Sequence, residues 1–184
     1  SQLMEPLLRR ATGVSAHDYL HSKLLQRLGI ENAGLWLDAT GQHPMTYCCI
    51  DLKPDDFLKF GLLYARQGEW NDTQVVPASY VRESLSSHSA FYGYQWWLLN
   101  DAYFSSEVPI TVYAASGLHG QKIYVWPAAD VVVVVLTQYQ HFANQGYVLD
   151  LSDEGTNFPN TCSARNNCPG STGSTVPTFD ELQL

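Results

Sequence analysis

The sequence predicts an α+β fold in which helices pack on an antiparallel β-sheet. Apolar residues recur at helical spacing up to about residue 85. From about residue 92 the pattern changes to short β-branched and aromatic runs separated by turns. Helices followed by an antiparallel meander are typical of α+β layer architectures. We assign residues 1–150 to this domain. Residues 151–184 form a polar extension that leads towards a final helix.

Each predicted helix has its own start or stop signal. Ser15 stands three residues before Asp18, which is the spacing of a capping box. Pro54 opens a helix whose first turn carries two acids, as the helix dipole favours. Glycines follow the ends of the first three helices. The predicted helices cover residues 2–11, 15–28, 54–67 and 77–85.

The strongest strand signal is a hairpin between residues 122 and 136. Ile123–Trp126 is β-branched and aromatic, and a turn containing Pro127 and Asp130 follows it. Val131–Leu136 is an unbroken apolar run, which is typical of a strand covered on both faces. Two more strands are predicted before the hairpin, over residues 92–99 and 110–115.

Small and polar residues interrupt the apolar pattern between Ser116 and Gln121. Gly117 and Gly120 let a backbone or a ligand come close at this strand end. An extended substrate could add to such an edge, and a backbone N–H could stabilise an oxyanion. The alternative is an ordinary bulge or tight turn, in which both glycines serve geometry only.

Composition excludes several classes of function. The net charge of −8 argues against nucleic acid and anionic membrane surfaces as partners. No apolar run reaches the roughly 18 residues of a membrane-spanning helix. His17 and His21 stand at i, i+4, but no recognisable third ligand follows, so we predict neither a metal nor a cofactor. Asp55 and Asp56 are interpreted as dipole complements rather than as a catalytic pair.

Adjacent aromatic and cysteine residues give weaker signals. Strand alternation places Trp96 and Trp97 on opposite faces, so at most one of them lines a cleft.

Cys48 and Cys49 are interpreted as buried free thiols. A small disulfide loop could join Cys162 to Cys168, and Asn71 begins a glycosylation sequon. Together these features favour an extracytoplasmic or secreted protein.

Five stretches of the sequence, in order over residues 2–138, carry a family resemblance. They are LLRRATGVSAHDYL, LGIENAGLWLDATG, DLKPDDFLKFGLLYARQGEW, GYQWWLL and ASGLHGQKIYVWPAADVVVVVL. Together they resemble the C-terminal part of the serine β-lactamase-like superfamily, which includes class C β-lactamases, DD-peptidases, related esterases and nylon-oligomer hydrolases. The GLHGQ segment is most similar to the esterase and amide-hydrolase branch, since β-lactamases proper have Lys-Thr-Gly there.

The resemblance implies acyl-enzyme chemistry on a small-molecule ester or amide. In the superfamily a serine attacks the carbonyl while lysine and tyrosine manage the proton. The third family motif would fall on Ala115, Ser116 and Gly117. The backbone N–H of Leu118 would bind the oxyanion, and His119 would line the site with Ser116 and Gly117. Because the motif has no lysine here, recognition of a penicillin-like carboxylate is in doubt.

The nucleophile motif of the superfamily is missing from these 184 residues. No Ser-x-x-Lys occurs, because the residues three before the four lysines are Leu20, Ile50, Asp56 and His119. No Tyr-x-Asn or Ser-x-Asn occurs either. We therefore expect an incomplete β-lactamase/transpeptidase-like fold, with the nucleophile on a segment upstream of residue 1 or on a partner chain.

The missing segment leads to one further expectation and leaves one alternative function open. Without it, the Val131–Leu136 strand would lack cover on at least one face, so the isolated chain would be poorly soluble or bind a hydrophobic dye. The alternative function is a catalytically inactive β-lactamase-like subunit with a structural or binding role.

Overall fold

A computed structural model describes residues 2–89, 91–99, 111–117, 120–138, 141, 144 and 145. Across these ranges, no helix has both the length and the apolar character needed to span a membrane. The predicted polar extension over residues 151–184, with Cys162 and Cys168, lies outside them.

The four predicted helices are all present. Ser15 caps the second helix, since its hydroxyl accepts a hydrogen bond from the Asp18 backbone N–H at 3.1 Å. This helix continues as a π-helical turn over His21–Leu25 and a 3₁₀ turn over Gln26–Leu28. The predicted helix over residues 15–28 is therefore one continuous helical segment. The α-helices are α1 Met4–Thr12, α2 Ala16–Leu20, α3 Pro54–Ala65 and α4 Ala78–Ser84.

Four short strands form two small antiparallel pairs beside the helices. Strand β1 (Gly34–Leu35) pairs with β2 (Ile50–Asp51). Strand β3 (Glu69–Trp70) pairs with β4 (Thr73–Gln74) in a tight hairpin after α3.

The main sheet is an antiparallel meander of four strands in the order β5-β6-β7-β8. This topology is the one predicted from the sequence. Each strand is hydrogen-bonded to its neighbour in the chain, so the local hairpin signals were sufficient to predict the order. The strands are β5 Trp97–Leu99, β6 Val112–Ser116, β7 Lys122–Trp126 and β8 Val131–Val135.

The strand predicted over residues 92–99 is shorter than expected. The Gly93 N–H donates to the Trp96 carbonyl at 2.8 Å, and Gln95 adopts left-handed backbone with φ of 67°. These residues therefore form a turn, and only Trp97–Leu99 joins the sheet. Aromatic content predicted a strand here, but the turn hydrogen bonds use the backbone groups that a strand would pair.

Helix α3 packs across one face of the main sheet, which we call the covered face. Ile123 and Val125 of β7 belong to the same buried cluster as Tyr64 and Trp96. The helix comes close enough that a Cβ on Gly61 would lie 2.4 Å from a Val132 methyl carbon. Glycine at this position therefore permits the close approach of helix and sheet.

The opposite face of the sheet, which we call the open face, is only partly covered. Val131 and Val133 of β8 are 42% and 48% exposed, and Trp97 is 45% exposed. Complete burial of the valine run, as its composition predicted, is therefore wrong. The expectation that this strand lacks cover on at least one face is confirmed.

A buried carboxylate joins α1 to α2, which the sequence analysis missed. Glu5 is 2% exposed and accepts a hydrogen bond from the Ala16 backbone N–H at 2.8 Å. Its other oxygen accepts hydrogen bonds from Arg9 at 2.9 and 2.6 Å. The carboxylate thus has partners on both sides, as a buried charge requires.

Cys48 and Cys49 form a disulfide with each other, so the prediction of free thiols is wrong. The prediction relied on the apolar stretch that follows the cysteines and overlooked that neighbouring thiols can pair. Cys49 has left-handed backbone with φ of 78°, and its carbonyl accepts a hydrogen bond from the Trp36 N–H at 3.0 Å.

Candidate functional site

The candidate site lies where β6 ends and the chain turns into β7. In the register of the sheet, Ser116 pairs with Lys122 as the last residue pair of this hairpin. The pairing of β6 with β5 covers only Val112–Ala114, so Ala115 and Ser116 run beyond β5. Strand β6 lies inside the sheet between β5 and β7. Ser116 and Gly117 at its end are both exposed, and we call these two residues the rim.

Gly117 of the rim and Gly120 of the turn that follows have geometric roles. The Gly117 N–H donates to the Gln121 carbonyl at 2.7 Å, which closes the turn. A Cβ on Gly117 would lie 3.2 Å from the Cβ of Gln121, which is a tight contact across the turn. Gly120 has φ of 83°, a left-handed conformation that favours glycine. These contacts account for both glycines as parts of the turn.

Gln121 fastens the rim to the segment that follows β8. Its side-chain amide donates to the carbonyl and the hydroxyl oxygen of Thr137, each at 3.1 Å. The Thr137 N–H donates back to the side-chain oxygen of Gln121 at 3.1 Å. This reciprocal set of hydrogen bonds gives the turn a fixed position relative to β8.

Lys122 supplies a charge that the sequence analysis did not assign to the site. It is 7% exposed, and its ammonium donates a hydrogen bond to the Ser116 hydroxyl. Folding the chain into a hairpin about residues 117–121 would have placed the two residues opposite each other. The hairpin register was therefore the signal that could have identified this contact. The linear motif Ala115-Ser116-Gly117 could not, because it does not include Lys122.

Of the four predicted site residues, the structure describes Ser116 and Gly117 and brings them together on the rim. Leu118 and His119 lie outside the described residues. The roles given to the Leu118 N–H and the His119 ring therefore remain predictions from the resemblance.

Other constellations do not assemble into a catalytic centre in the part of the chain that the structure describes. His17 and His21 stack with ring centroids 6.4 Å apart. No group of three or more potential metal-ligating side chains comes together within the described ranges. Asp56 pairs with Lys59 at 2.8 Å, one turn along α3, and so acts as a structural ion pair.

Ser86 and His88 also fail to form a catalytic triad. The Ser86 hydroxyl lies 3.2 Å from His88 Nε2. The same nitrogen lies 2.9 Å from the Glu83 carbonyl and 3.5 Å from the Glu83 carboxylate. A triad needs the acid on the other ring nitrogen, where it can hold the imidazole as a base.

The two neighbouring tryptophans have different environments, as predicted. Trp96 is 3% exposed and packs against Tyr64 in the core, with ring centroids 4.6 Å apart. Burial raises the pKa of the Tyr64 phenol above its ordinary value, so this hydroxyl is a neutral core group. Trp97 lies on the open face with its ring against Tyr92 at 4.9 Å.

Comparison with solved structures supports the predicted fold. A provisionally assigned 6-aminohexanoate-dimer hydrolase from Bacillus anthracis superposes with a TM-score of 0.61 at 21% sequence identity. The match covers 78% of this chain and 39% of that protein. Neither a family profile nor a curated protein matches the sequence. The TM-score shows a shared fold, which confirms the predicted α+β architecture. At 21% identity the similarity shows the fold alone.

Proposed function

We propose that this chain is the C-terminal part of a serine hydrolase that acts on an ester or amide through an acyl-enzyme. The observation that carries the proposal is the fold shared with a hydrolase over 78% of this chain but only 39% of that protein. The 184 residues contain no Ser-x-x-Lys. The nucleophile would therefore come from polypeptide that corresponds to the unmatched part of the neighbour.

Exposed apolar surface supports the docking of further polypeptide. At the start of α1, the side chains of Leu3, Met4 and Leu7 are 75%, 54% and 60% exposed. Val131 and Val133 are exposed on the open face of the sheet. Both regions expose several large apolar side chains, so both suit contact with the rest of a larger fold.

In the proposed mechanism the rim of β6 forms one wall of the site. A serine from the other polypeptide would attack the substrate carbonyl, with a lysine and a tyrosine of that polypeptide taking its proton and passing it to the alcohol or amine that leaves. Water would then hydrolyse the acyl-enzyme, which releases the acid and restores the serine. The backbone N–H of Leu118 would stabilise the oxyanion. Ser116, Gly117 and His119 would contact the substrate. The exposure of Ser116 and Gly117 supports this arrangement.

The second candidate is a catalytically inactive subunit of the same fold with a structural or binding role. The missing Ser-x-x-Lys favours it, because the nucleophile of that fold's serine hydrolases is not encoded in these residues. The two candidates share every structural feature described above and differ in whether the natural protein has a reactive serine.

A fluorophosphonate probe on the natural protein separates the two candidates. We expect labelling of a serine outside residues 1–184, located by mass spectrometry of the digested protein, and inhibition of ester hydrolysis in proportion to labelling. The Ser86→Ala variant serves as the control and should label as the wild type does. Complete lack of labelling would overturn the hydrolase proposal and favour the inactive subunit.

We further propose an extracytoplasmic or secreted location. The Cys48–Cys49 disulfide supports it, because disulfides persist mainly in oxidising compartments. Asn71 supports it as well, because this sequon asparagine lies exposed in the turn between β3 and β4. Thiol alkylation of the protein taken directly from its cells, with and without reduction, tests this location. Free Cys48 and Cys49 would contradict it.

A further inference from the structure

Cys48 and Cys49 are neighbours in the chain and are joined by a disulfide. A disulfide between adjacent residues closes a small ring that includes the peptide bond between them, so it restricts the backbone of both. Both cysteines are half-buried and neither belongs to the core, so a small thiol reagent can approach them. The bond therefore combines a restraint on the backbone with access to redox chemistry.

The restraint acts on a backbone conformation that cysteine seldom adopts. Cys49 has φ of 78°, in the left-handed region that favours glycine. In this region the Cβ lies too close to the following carbonyl oxygen, so an unrestrained cysteine prefers negative φ. The ring through Cys48 limits the alternatives open to Cys49. Breaking the disulfide removes that limit and leaves the left-handed conformation disfavoured.

The conformation of Cys49 determines how one loop, residues 36–49, is closed. The Cys49 carbonyl accepts a hydrogen bond from the Trp36 N–H at 3.0 Å, which continues the pairing of β1 with β2. The Trp36 carbonyl in turn accepts one from the Met45 N–H at 2.8 Å. Rotation about φ at Cys49 would turn its carbonyl away from Trp36, so the closing hydrogen bond would be lost.

The same loop contacts the chain just before α1. The side-chain amide of Gln2 donates to the Pro44 carbonyl at 3.1 Å. The Thr46 N–H donates to the side-chain oxygen of Gln2, also at 3.1 Å. These two hydrogen bonds join segments more than forty residues apart. A change of loop conformation would therefore extend to the start of α1.

We propose that the Cys48–Cys49 disulfide is a redox switch, which keeps the 36–49 loop closed when oxidised and releases it when a dithiol reduces the bond. A thiolate of the dithiol attacks one cysteine sulfur, forms a mixed disulfide with it and releases the other cysteine as a thiolate. The second thiol of the reductant then displaces the first cysteine. The reductant becomes a disulfide, and the protein gains two electrons and two protons as a pair of thiols.

This switch goes beyond the proposed function, because neither candidate function involves the two cysteines. In an oxidising compartment the disulfide persists and the loop stays closed. Exposure to a dithiol opens the loop, in a hydrolase and in an inactive subunit alike.

Hydrogen exchange of the natural protein, measured on peptides that cover residues 34–51, tests the switch before and after reduction with dithiothreitol. We expect exchange in this segment to become about tenfold faster, as the cost of left-handed backbone at a non-glycine residue implies. Reoxidation should restore slow exchange. Peptides from β7 should keep their exchange rate, because that strand belongs to a different sheet. Alkylation followed by mass spectrometry shows that both cysteines are reduced.

Two variants without the disulfide test whether it acts through the backbone of Cys49. Cys48→Ser with Cys49→Ala should exchange rapidly with or without dithiothreitol, since alanine disfavours the left-handed region. Cys48→Ser with Cys49→Gly should exchange more slowly than the alanine variant, because glycine adopts this conformation readily. Cys162→Ser with Cys168→Ser removes the same number of thiols elsewhere and should respond to dithiothreitol as the wild type does.

Unchanged exchange in residues 34–51 after complete reduction would overturn the switch. Equal acceleration in β7 would also overturn it, since reduction would then unfold the protein instead of opening one loop. A glycine variant that exchanges as fast as the alanine variant would show that the disulfide does not act through the backbone of Cys49. None of these results changes fluorophosphonate labelling, so the hydrolase proposal is tested separately.

Discussion

The two faces of the main sheet are built from similar residues but have different environments. Ile123 and Val125 on the covered face are 9% and 0% exposed, beneath α3. Val131 and Val133 on the open face are 42% and 48% exposed. The covered face is completed by the chain itself. The open face has the apolar composition of a protein core, but its valines stay exposed. That composition is why the sequence of β8 predicted burial on both faces.

Truncating a valine on each face should give very different effects on stability. Val125→Ala removes fully buried methyl groups and should lower the free energy of unfolding by about 2–3 kcal/mol. Val133→Ala makes the same chemical change on the open face and should cost less than about 0.5 kcal/mol. Urea unfolding of both variants measures the difference. Equal losses would show that the open face is already packed.

Substitution of Gly61 tests how closely α3 approaches the covered face. The added methyl of Gly61→Ala would lie 2.4 Å from a Val132 methyl carbon, so either the Val132 side chain or the helix must shift. We expect a loss of about 1–2 kcal/mol, since overpacking outweighs the gain in helix propensity. Val132→Ala in the same background makes room and should recover part of the loss. If Gly61→Ala alone stabilised the protein in urea unfolding, the close packing would be wrong.

Alkaline pH should weaken the covered face through its tyrosines. Burial raises the pKa of the Tyr64 and Tyr113 phenols above their ordinary value of 10.0. The folded state therefore favours the neutral form, and this stability is complete below the unfolded pKa. It is lost as pH rises through the folded pKa. Urea unfolding across this range should show the decline, and Tyr64→Phe should make it shallower. An equally steep decline in that variant would contradict the assignment.

Polar substitution on the open face should change dye binding with little change in stability. The isolated chain is expected to bind a hydrophobic dye, and Val131→Thr with Val133→Thr should reduce that binding. The change in the free energy of unfolding should stay within about 0.5 kcal/mol per site. Titration with anilinonaphthalene sulfonate measures the dye, and the Val132→Thr variant on the covered face is the control. A wild-type chain that binds no dye would contradict the exposure of this face.

Local signals predicted most of the helices and the hairpin. The Ser15 cap, Pro54 at the start of α3 and the turn after Trp126 each fix an element through neighbouring residues. The features that the sequence analysis missed have two causes. Some depend on contacts between elements that are distant in the sequence, and others on a turn that competes locally with a strand. The strand predicted from residue 92 is replaced by a turn about Gln95, and the buried Glu5 carboxylate is bound by the start of α2, which is distant in the sequence.

The end of strand β6 was predictable from the sequence, whereas its side-chain contacts were not, and the site residues assigned there stay predictions. The glycine-flanked break at Ser116–Gln121 predicted the rim, because small and polar residues in an apolar pattern mark such a point. The hydrogen bond from Lys122 to Ser116 depends on the hairpin register, which brings residues six positions apart into contact. A linear motif search cannot detect that pairing.

Cysteine labelling tests most directly whether the open face is the docking surface for the rest of the protein. Single variants Val133→Cys and Val125→Cys are made in the isolated chain and in the natural protein, and their maleimide reaction rates are corrected for the unmodified protein. We predict that Cys at position 133 reacts rapidly in the isolated chain and slowly in the natural protein, while position 125 reacts slowly in both. Equal, rapid reaction at position 133 in both proteins would contradict the account.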